Sequence, residues 1–276
     1  MIRLGSKFSR ALALAVPLAF AGVSAAAAPV TQLGFGIDGS GSVSSSDFST
    51  QINGLSSAFG VLPTDSTVEV TVVQFSSSAQ TEVGPTLIDS ASTRSSIITQ
   101  TNNITQTGGG TDPEDAIDKL NSELTGSSNF GDDSIINIST DGGFTVSPAQ
   151  TAAQNAKDDG IDALTGEAIG TGADQQALAD IVFGPNSDPG DGSGQILAED
   201  ASPPNPLASG VDPWVVPVSD FDTFGDVIQA KLQASVPGTP VPVPPTVLLL
   251  LSGIVAVAAS RVLQRRRLSS PSTAVA

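Results

Sequence analysis

Along the middle of the chain, compact apolar runs alternate with segments whose apolar residues recur every three or four positions. Val30–Ile37 (VTQLGFGI), Thr67–Phe75 (TVEVTVVQF), Ser134–Ser139 (SIINIS) and Trp214–Val218 have the short apolar or β-branched character of strands. Ile161–Ile169 predicts a further strand, interrupted by Gly166 and Glu167. Behind the capping residues Ser44-Ser45-Ser46-Asp47, the side chains of Phe48, Ile52, Leu55 and Phe59 fall on one helical face. In Thr111–Leu124, Asp112 is placed to cap, Pro113 suits the first helical position, and Ala116, Ile117, Leu120 and Leu124 make the buried stripe. Ala91–Thr101, Ser147–Asp158, Gln175–Phe183 and Ser219–Leu232 predict the remaining helices; the last aligns Phe221, Phe224, Ile228 and Leu232. Strands alternating with helices imply crossover units. The predicted fold is α/β: a doubly wound, mainly parallel central sheet with helices on both faces.

Gly184–Pro213 breaks this rhythm. Its turn-forming residues predict a mobile surface insert. A Ca²⁺ loop built on Asp188 and Asp191 is the alternative, although the EF-hand spacing is not met.

The ends follow another logic. Met1–Arg10 carries three basic residues, Ala11–Ala21 is apolar, and Val23–Ala28 supplies small residues for cleavage, the order of a secretory signal peptide. At the other end, the proline-rich stretch Ser235–Pro245 predicts extended backbone. An apolar run from Val247 follows, then Arg261, Arg265, Arg266 and Arg267. Carried on to Leu263 by a snorkelling Arg261, a helix from Val247 is about 26 Å long, marginal for a membrane. The arginines orient the tail to the cytoplasm. The expected organisation is therefore a signal peptide at 1–27 and one domain at 28–234 with its insert at 184–213. A linker at 235–245, a transmembrane helix at 246–263 and a basic tail at 264–276 complete it.

Composition narrows the chemistry. The 276 residues include no His and no Cys, which excludes a Ser-His-Asp triad, thiol nucleophiles, disulfides and His- or Cys-ligated metals. Any metal site must use oxygen ligands. Between Ala28 and Ser260 lie four basic residues and all 28 acidic ones, a formal charge of −24 that argues against nucleic acid as a partner.

Three loops carry suitable oxygens. Asp38-Gly39-Ser40-Gly41-Ser42 follows the first strand and reads D-x-S-x-S. Gly108-Gly109-Gly110-Thr111-Asp112 precedes a helix and is expected to be another strand-to-helix loop. Thr140-Asp141-Gly142-Gly143 follows the SIINIS strand. In open α/β sheets ligands sit at the carboxyl ends of strands, so Asp38, Ser40, Ser42, Thr111 and Asp141 are expected at one edge. Two carboxylates and three hydroxyls suit Mg²⁺ or Mn²⁺, and Ca²⁺ is also compatible.

This order of motifs resembles the von Willebrand factor A domain with its metal-ion-dependent adhesion site, over roughly Val30 to Leu232. The resemblance implies a non-enzymatic binding module that grips a protein or polysaccharide ligand through the metal. A matrix or surface component that self-associates through metal is an alternative reading, and a metal-dependent hydrolase a further one. The C-terminus resembles the PEP-CTERM sorting signal of Gram-negative bacteria. Its Val241-Pro242-Val243-Pro244-Pro245 lacks the common Glu and is closer to the VPLPA-like variant. That resemblance implies an exosortase-type processing enzyme as a partner and an exported protein held at the cell surface.

Overall fold

The computed structural model describes residues 29–236. The expected signal peptide, the sorting motif, the transmembrane helix and the arginine-rich tail lie outside the described residues. Among those described, no helix is long and apolar enough to cross a membrane.

Seven strands form one sheet: β1 (Thr31–Asp38), β2 (Val68–Phe75), β3 (Ala79–Leu87), β4 (Asp133–Thr140), β5 (Ala163–Ile169), β6 (Gln195–Ile196) and β7 (Trp214–Val218). Their spatial order is β3-β2-β1-β4-β5-β7-β6. Every neighbouring pair is parallel except β2 and β3. The helices are α1 (Ser45–Ala58), α2 (Ala91–Asn102), α3 (Pro113–Gly126), α4 (Val146–Asp158), α5 (Gln175–Ala179) and α6 (Phe221–Ser235). Helix α6 ends on Ser235, the first residue of the expected linker.

The sheet separates two apolar layers. Phe48, Ile52 and Leu55 of α1 pack with Ile97 of α2 and Phe224 and Ile228 of α6 against Phe35, Ile37, Val70 and Val72. Phe59, just past α1, meets Phe35 edge-on, with ring centroids 5.2 Å apart. On the other face, Ile117 and Leu120 of α3, the alanines of α4 and Leu178 of α5 cover Phe75, Ile136 and Ile138. Each such fully buried Leu, Ile or Phe is worth about 1.5–3 kcal/mol over exposure. Strands covered on both faces are buried throughout their length, as β1, β2 and β5 are.

Strand β1 is the topological switch. The chain winds from β1 outward through β2 to β3, then returns to place β4 on the other side of β1 and continues outward. A crevice therefore opens between the carboxyl ends of β1 and β4, where ligands bind in such sheets.

The structure departs from the sequence reading in several places. Strand β3 was not expected: AQTEVGPTL is polar, and it lies at an edge, where Pro85 removes no needed ladder donor. The loop before α3 follows α2 rather than a strand, so the Gly108–Asp112 segment joins two helices. Asp112 occupies the N-cap position of α3 but its side chain makes no capping hydrogen bond. Helix α5 stops at Ala179, and Phe183 instead bridges to Leu164. The 184–213 insert is tied to the body rather than loose. Its β6 pairs with β7, and Leu197, Leu207 and Val211 pack on the core. The Asp188–Asp191 metal loop is not formed: Asp188 pairs with Lys157 at 2.6 Å, and Asp191 accepts backbone N–H groups of Asp188 and Ser193.

Candidate metal centre

Asp38 is the last residue of β1 and is wholly buried. One carboxylate oxygen accepts the Ser40 N–H at 2.8 Å, and the other accepts the Thr140 hydroxyl at 2.5 Å. Ser40 and Ser42 bring their hydroxyl oxygens to 2.8 Å from each other. Ser42 Oγ donates to Asp141 Oδ1 at 2.7 Å. A continuous line of oxygens thus runs from the foot of the first loop to the end of β4. Thr111 joins it across Gly142: a Cβ at Gly142 would lie 3.3 Å from Thr111 Oγ1 and 3.4 Å from Ser42 Oγ. All five residues anticipated from the sequence stand at one edge of the sheet. Asp38 and Ser40 form the buried floor, Ser42 is exposed, and Thr111 and Asp141 are half-buried.

The loops are fastened to one another by backbone. Gly41 N–H donates to Gly109 O at 3.0 Å, and Gly108 N–H donates to Gly39 O at 2.8 Å. Gly109 has φ +108°, and a Cβ there would come within 2.7 Å of Ser77 Oγ, so only glycine fits. Because α2 and α3 flank this loop, its place over β1 depends on side chains that sequence reasoning missed. Gln74 Oε1 accepts Thr107 N–H at 2.8 Å and Gln74 Nε2 donates to Thr105 O at 3.0 Å. Gln106 Nε2 donates to Ser40 O at 3.0 Å and Val43 O at 2.8 Å. Ser77 Oγ accepts Gly110 N–H at 2.6 Å. Thr140 was in plain view beside Asp141, and its hydroxyl also accepts Gly142 N–H at 3.1 Å. Gln74 carried a signal too, as a polar residue inside an apolar strand; nothing in the sequence distinguished Gln106.

The electrostatics favour a cation. Burial pushes the Asp38 carboxyl above its usual range, hydrogen bonds from Ser40 and Thr140 pull it back, and the Asp141 charge raises it again. Among the described residues no Lys or Arg pairs with either carboxylate. A buried, unpaired carboxylate is costly unless a positive charge reaches it. The donors are hard oxygens only, which suits a divalent cation of the Mg²⁺, Mn²⁺ or Ca²⁺ type. Among the described residues no group of three or more carboxylates is placed to hold a metal ion, so this centre relies on hydroxyls to complete its donor set.

A model of the von Willebrand factor type A domain matches residues 33–193, more than half of the chain and the span that holds all three loops. The chain belongs to the von Willebrand factor type A domain family. Solved structures share the fold at low identity. Proximal thread matrix protein 1 from the mussel byssus superposes with a TM-score of 0.54 at 15% identity, over 74% of this chain and 46% of that one. A form of it with zinc in its metal-ion-dependent adhesion motif gives 0.53 at 17% identity, over 73% and 46%. This chain thus spans just under half the length of the mussel protein. BatB, a conserved hypothetical protein of Bacteroides thetaiotaomicron, gives 0.53 at 15% identity and is covered over 97% of its length, against 74% of this chain. No curated protein matches the chain by sequence.

Proposed function

We propose that this von Willebrand A domain is a binding module that captures a partner through a divalent cation held by Asp38, Ser40, Ser42, Thr111 and Asp141. The observation that carries the reading is the buried Asp38 carboxylate, which has no cationic partner among the described residues and heads a line of oxygens ending at the surface. With Mg²⁺ or Mn²⁺ bound, the two aspartates balance the metal's charge. The serine and threonine hydroxyls are weak neutral ligands, so the metal keeps an open position for an oxygen from outside. The role is non-enzymatic: the chain has no His, Cys or Tyr, and both carboxylates of the centre are committed to holding the cation.

The relatives are consistent with such a role. The mussel protein is a thread matrix protein, and the pilus adhesin SpaC of Lactobacillus rhamnosus GG shares the fold with a TM-score of 0.51 at 15% identity. The terminal segments support export and retention at the cell surface, with processing by an exosortase-type enzyme at Val241–Pro245.

The test is capture from the surrounding medium by the purified protein in Mg²⁺ and in EDTA. Retention of a partner in Mg²⁺ that is released by EDTA, and absent for Asp141→Ala, supports the reading. A partner held equally in EDTA contradicts it.

A further inference from the structure

The opposite edge of the sheet carries a second opening. Strands β1 and β2 begin there, antiparallel β3 ends there with Leu87 beside Glu69, and α3 closes it from one face. Between the ends of α3 and β3 lies a cleft of about 650 Å³, within the size range of small-ligand sites. Glu69, the second residue of β2, is only 2% exposed, yet it forms part of the cleft wall. Gln32 Nε2 donates to its Oε1 at 2.7 Å, and Ser127 Oγ and Asn129 Nδ2 donate to its Oε2. Its hydrogen bonds are thus met by neutral groups. Its charge is not met, because no Lys or Arg pairs with it among the described residues. The oxygen of the same Gln32 amide is buried with no hydrogen-bond partner, so this layer holds more acceptors than donors.

The rest of the wall divides in two. On one side Glu123 stands near the end of α3, and that helix has no basic residue in its last turn to offset the negative end of its dipole. Lys119 lies 3.8 Å from Glu123, one turn back along the helix. It does not line the cleft, and at 42% exposed it makes a surface pair of little strength. On the other side Pro85 and Leu87 of β3 are half-buried and apolar. A ligand here meets a negative pole and an apolar strip together.

We propose that this cleft binds a primary ammonium carried on an alkyl stem, the chemistry shared by a lysine side chain and a free alkylamine. The ammonium meets the charges of Glu69 and Glu123, and the stem lies along Pro85 and Leu87. Glu69 Oε2 already takes two donors, so the paired N–H groups of a guanidinium, which engage both oxygens of a carboxylate, find no match. Oε1 takes only Gln32, which leaves an acceptor position for one N–H of a compact ammonium. Two carboxylates, one of them already hydrogen-bonded at both oxygens, make no cage for a divalent metal. The cleft stands at the far edge of the sheet from the metal centre, and neither needs the other.

The test is an NMR titration of the full chain in EDTA, following the backbone N–H signals of Ser127 and Asn129. The probes are acetyl-lysine methylamide, the norleucine derivative with the same stem and no charge, the arginine derivative, and butylamine. The lysine derivative shifts both signals along a saturable curve and binds at least about tenfold tighter than the norleucine one. Its binding weakens with salt and exceeds that of the arginine derivative. Glu123→Gln, a change at the rim that leaves the buried layer intact, weakens it several-fold, and Asp141→Ala leaves it unchanged. Butylamine binding as tightly as the lysine derivative assigns the cleft to free amines, and weaker butylamine binding assigns it to protein lysines; both support an ammonium site. Equal affinity for the norleucine derivative, a preference for the arginine derivative, no shift at Ser127 and Asn129, or binding indifferent to Glu123→Gln overturns the proposal.

Discussion

Asp38 and Glu167 are both fully buried carboxylates on the central sheet, and the fold treats them in opposite ways. Glu167 of β5 faces α6, where Lys231 reaches it at 3.1 Å and Ser139 donates to its other oxygen at 3.0 Å. The same ammonium donates to Thr165 at 2.6 Å and sits 4.9 Å from the centre of the Trp214 ring. Asp38 of β1 is met only by an N–H and hydroxyls. Glu167 has its counter-ion inside the protein, and Asp38 has none among the described residues. Glu69, another buried carboxylate with no cation among the described residues, is satisfied by hydrogen bonds from Gln32, Ser127 and Asn129, so what sets Asp38 apart is its place at the head of the oxygens along the sheet edge.

The sharpest way to break the contrast is to remove the internal cation. Lys231→Met leaves Glu167 charged and unpaired, and should cost about 3–5 kcal/mol in urea denaturation. The double variant with Glu167→Leu should recover most of it. A single variant as stable as the parent would mean that the pair is not what seats α6.

Asp38 should behave in the reverse sense. In chelator, Asp38→Asn should be neutral or stabilising, because the substitution removes a buried charge. Adding Mg²⁺ at 100 times its Kd should stabilise the parent by about 2.7 kcal/mol and the variant not at all. The pH dependence has a definite sign. Asp38's folded value is raised, so between the ordinary carboxylate range and that value the folded state holds the extra proton. Metal-free stability should therefore fall as pH rises through that window, and bound Mg²⁺ should reverse the trend.

A smaller effect sharpens the comparison at the level of support. Gln106→Ala removes both anchors of the Ser40–Val43 turn, and should weaken Mg²⁺ binding by about 10–100-fold with Lys231 and Glu167 unaffected. The smallest effect belongs to the insert. Asp188→Asn breaks an ion pair whose carboxylate side chain is 65% exposed, and should change stability by no more than about 1 kcal/mol and Mg²⁺ affinity not at all.

The contrast also explains what the sequence disclosed. The periodic apolar residues of α1, α3 and α6 and the β-branched β2 gave their elements directly, because burial dictates their spacing. The D-x-S-x-S turn and Thr140-Asp141-Gly142-Gly143 were legible because each directly follows a strand. The origin of the glycine loop was misread because strands and helices alternate elsewhere, whereas α2 leads to α3 with no strand between them; polar, Pro-bearing β3 was missed separately. The support from Gln74 and Gln106 was invisible because amide anchors have no fixed spacing from what they hold. Glu167 was noticed only as an interruption of its strand. Its partner lies 64 residues away on a helix whose apolar stripe says nothing about a buried lysine.

The central claim is that Asp38 and Asp141 share one cation, and isothermal titration of Mg²⁺ into the folded protein tests it most directly. The account predicts a single site in the parent and no measurable binding by either Asp38→Ala or Asp141→Ala. Unchanged affinity in both variants would contradict it.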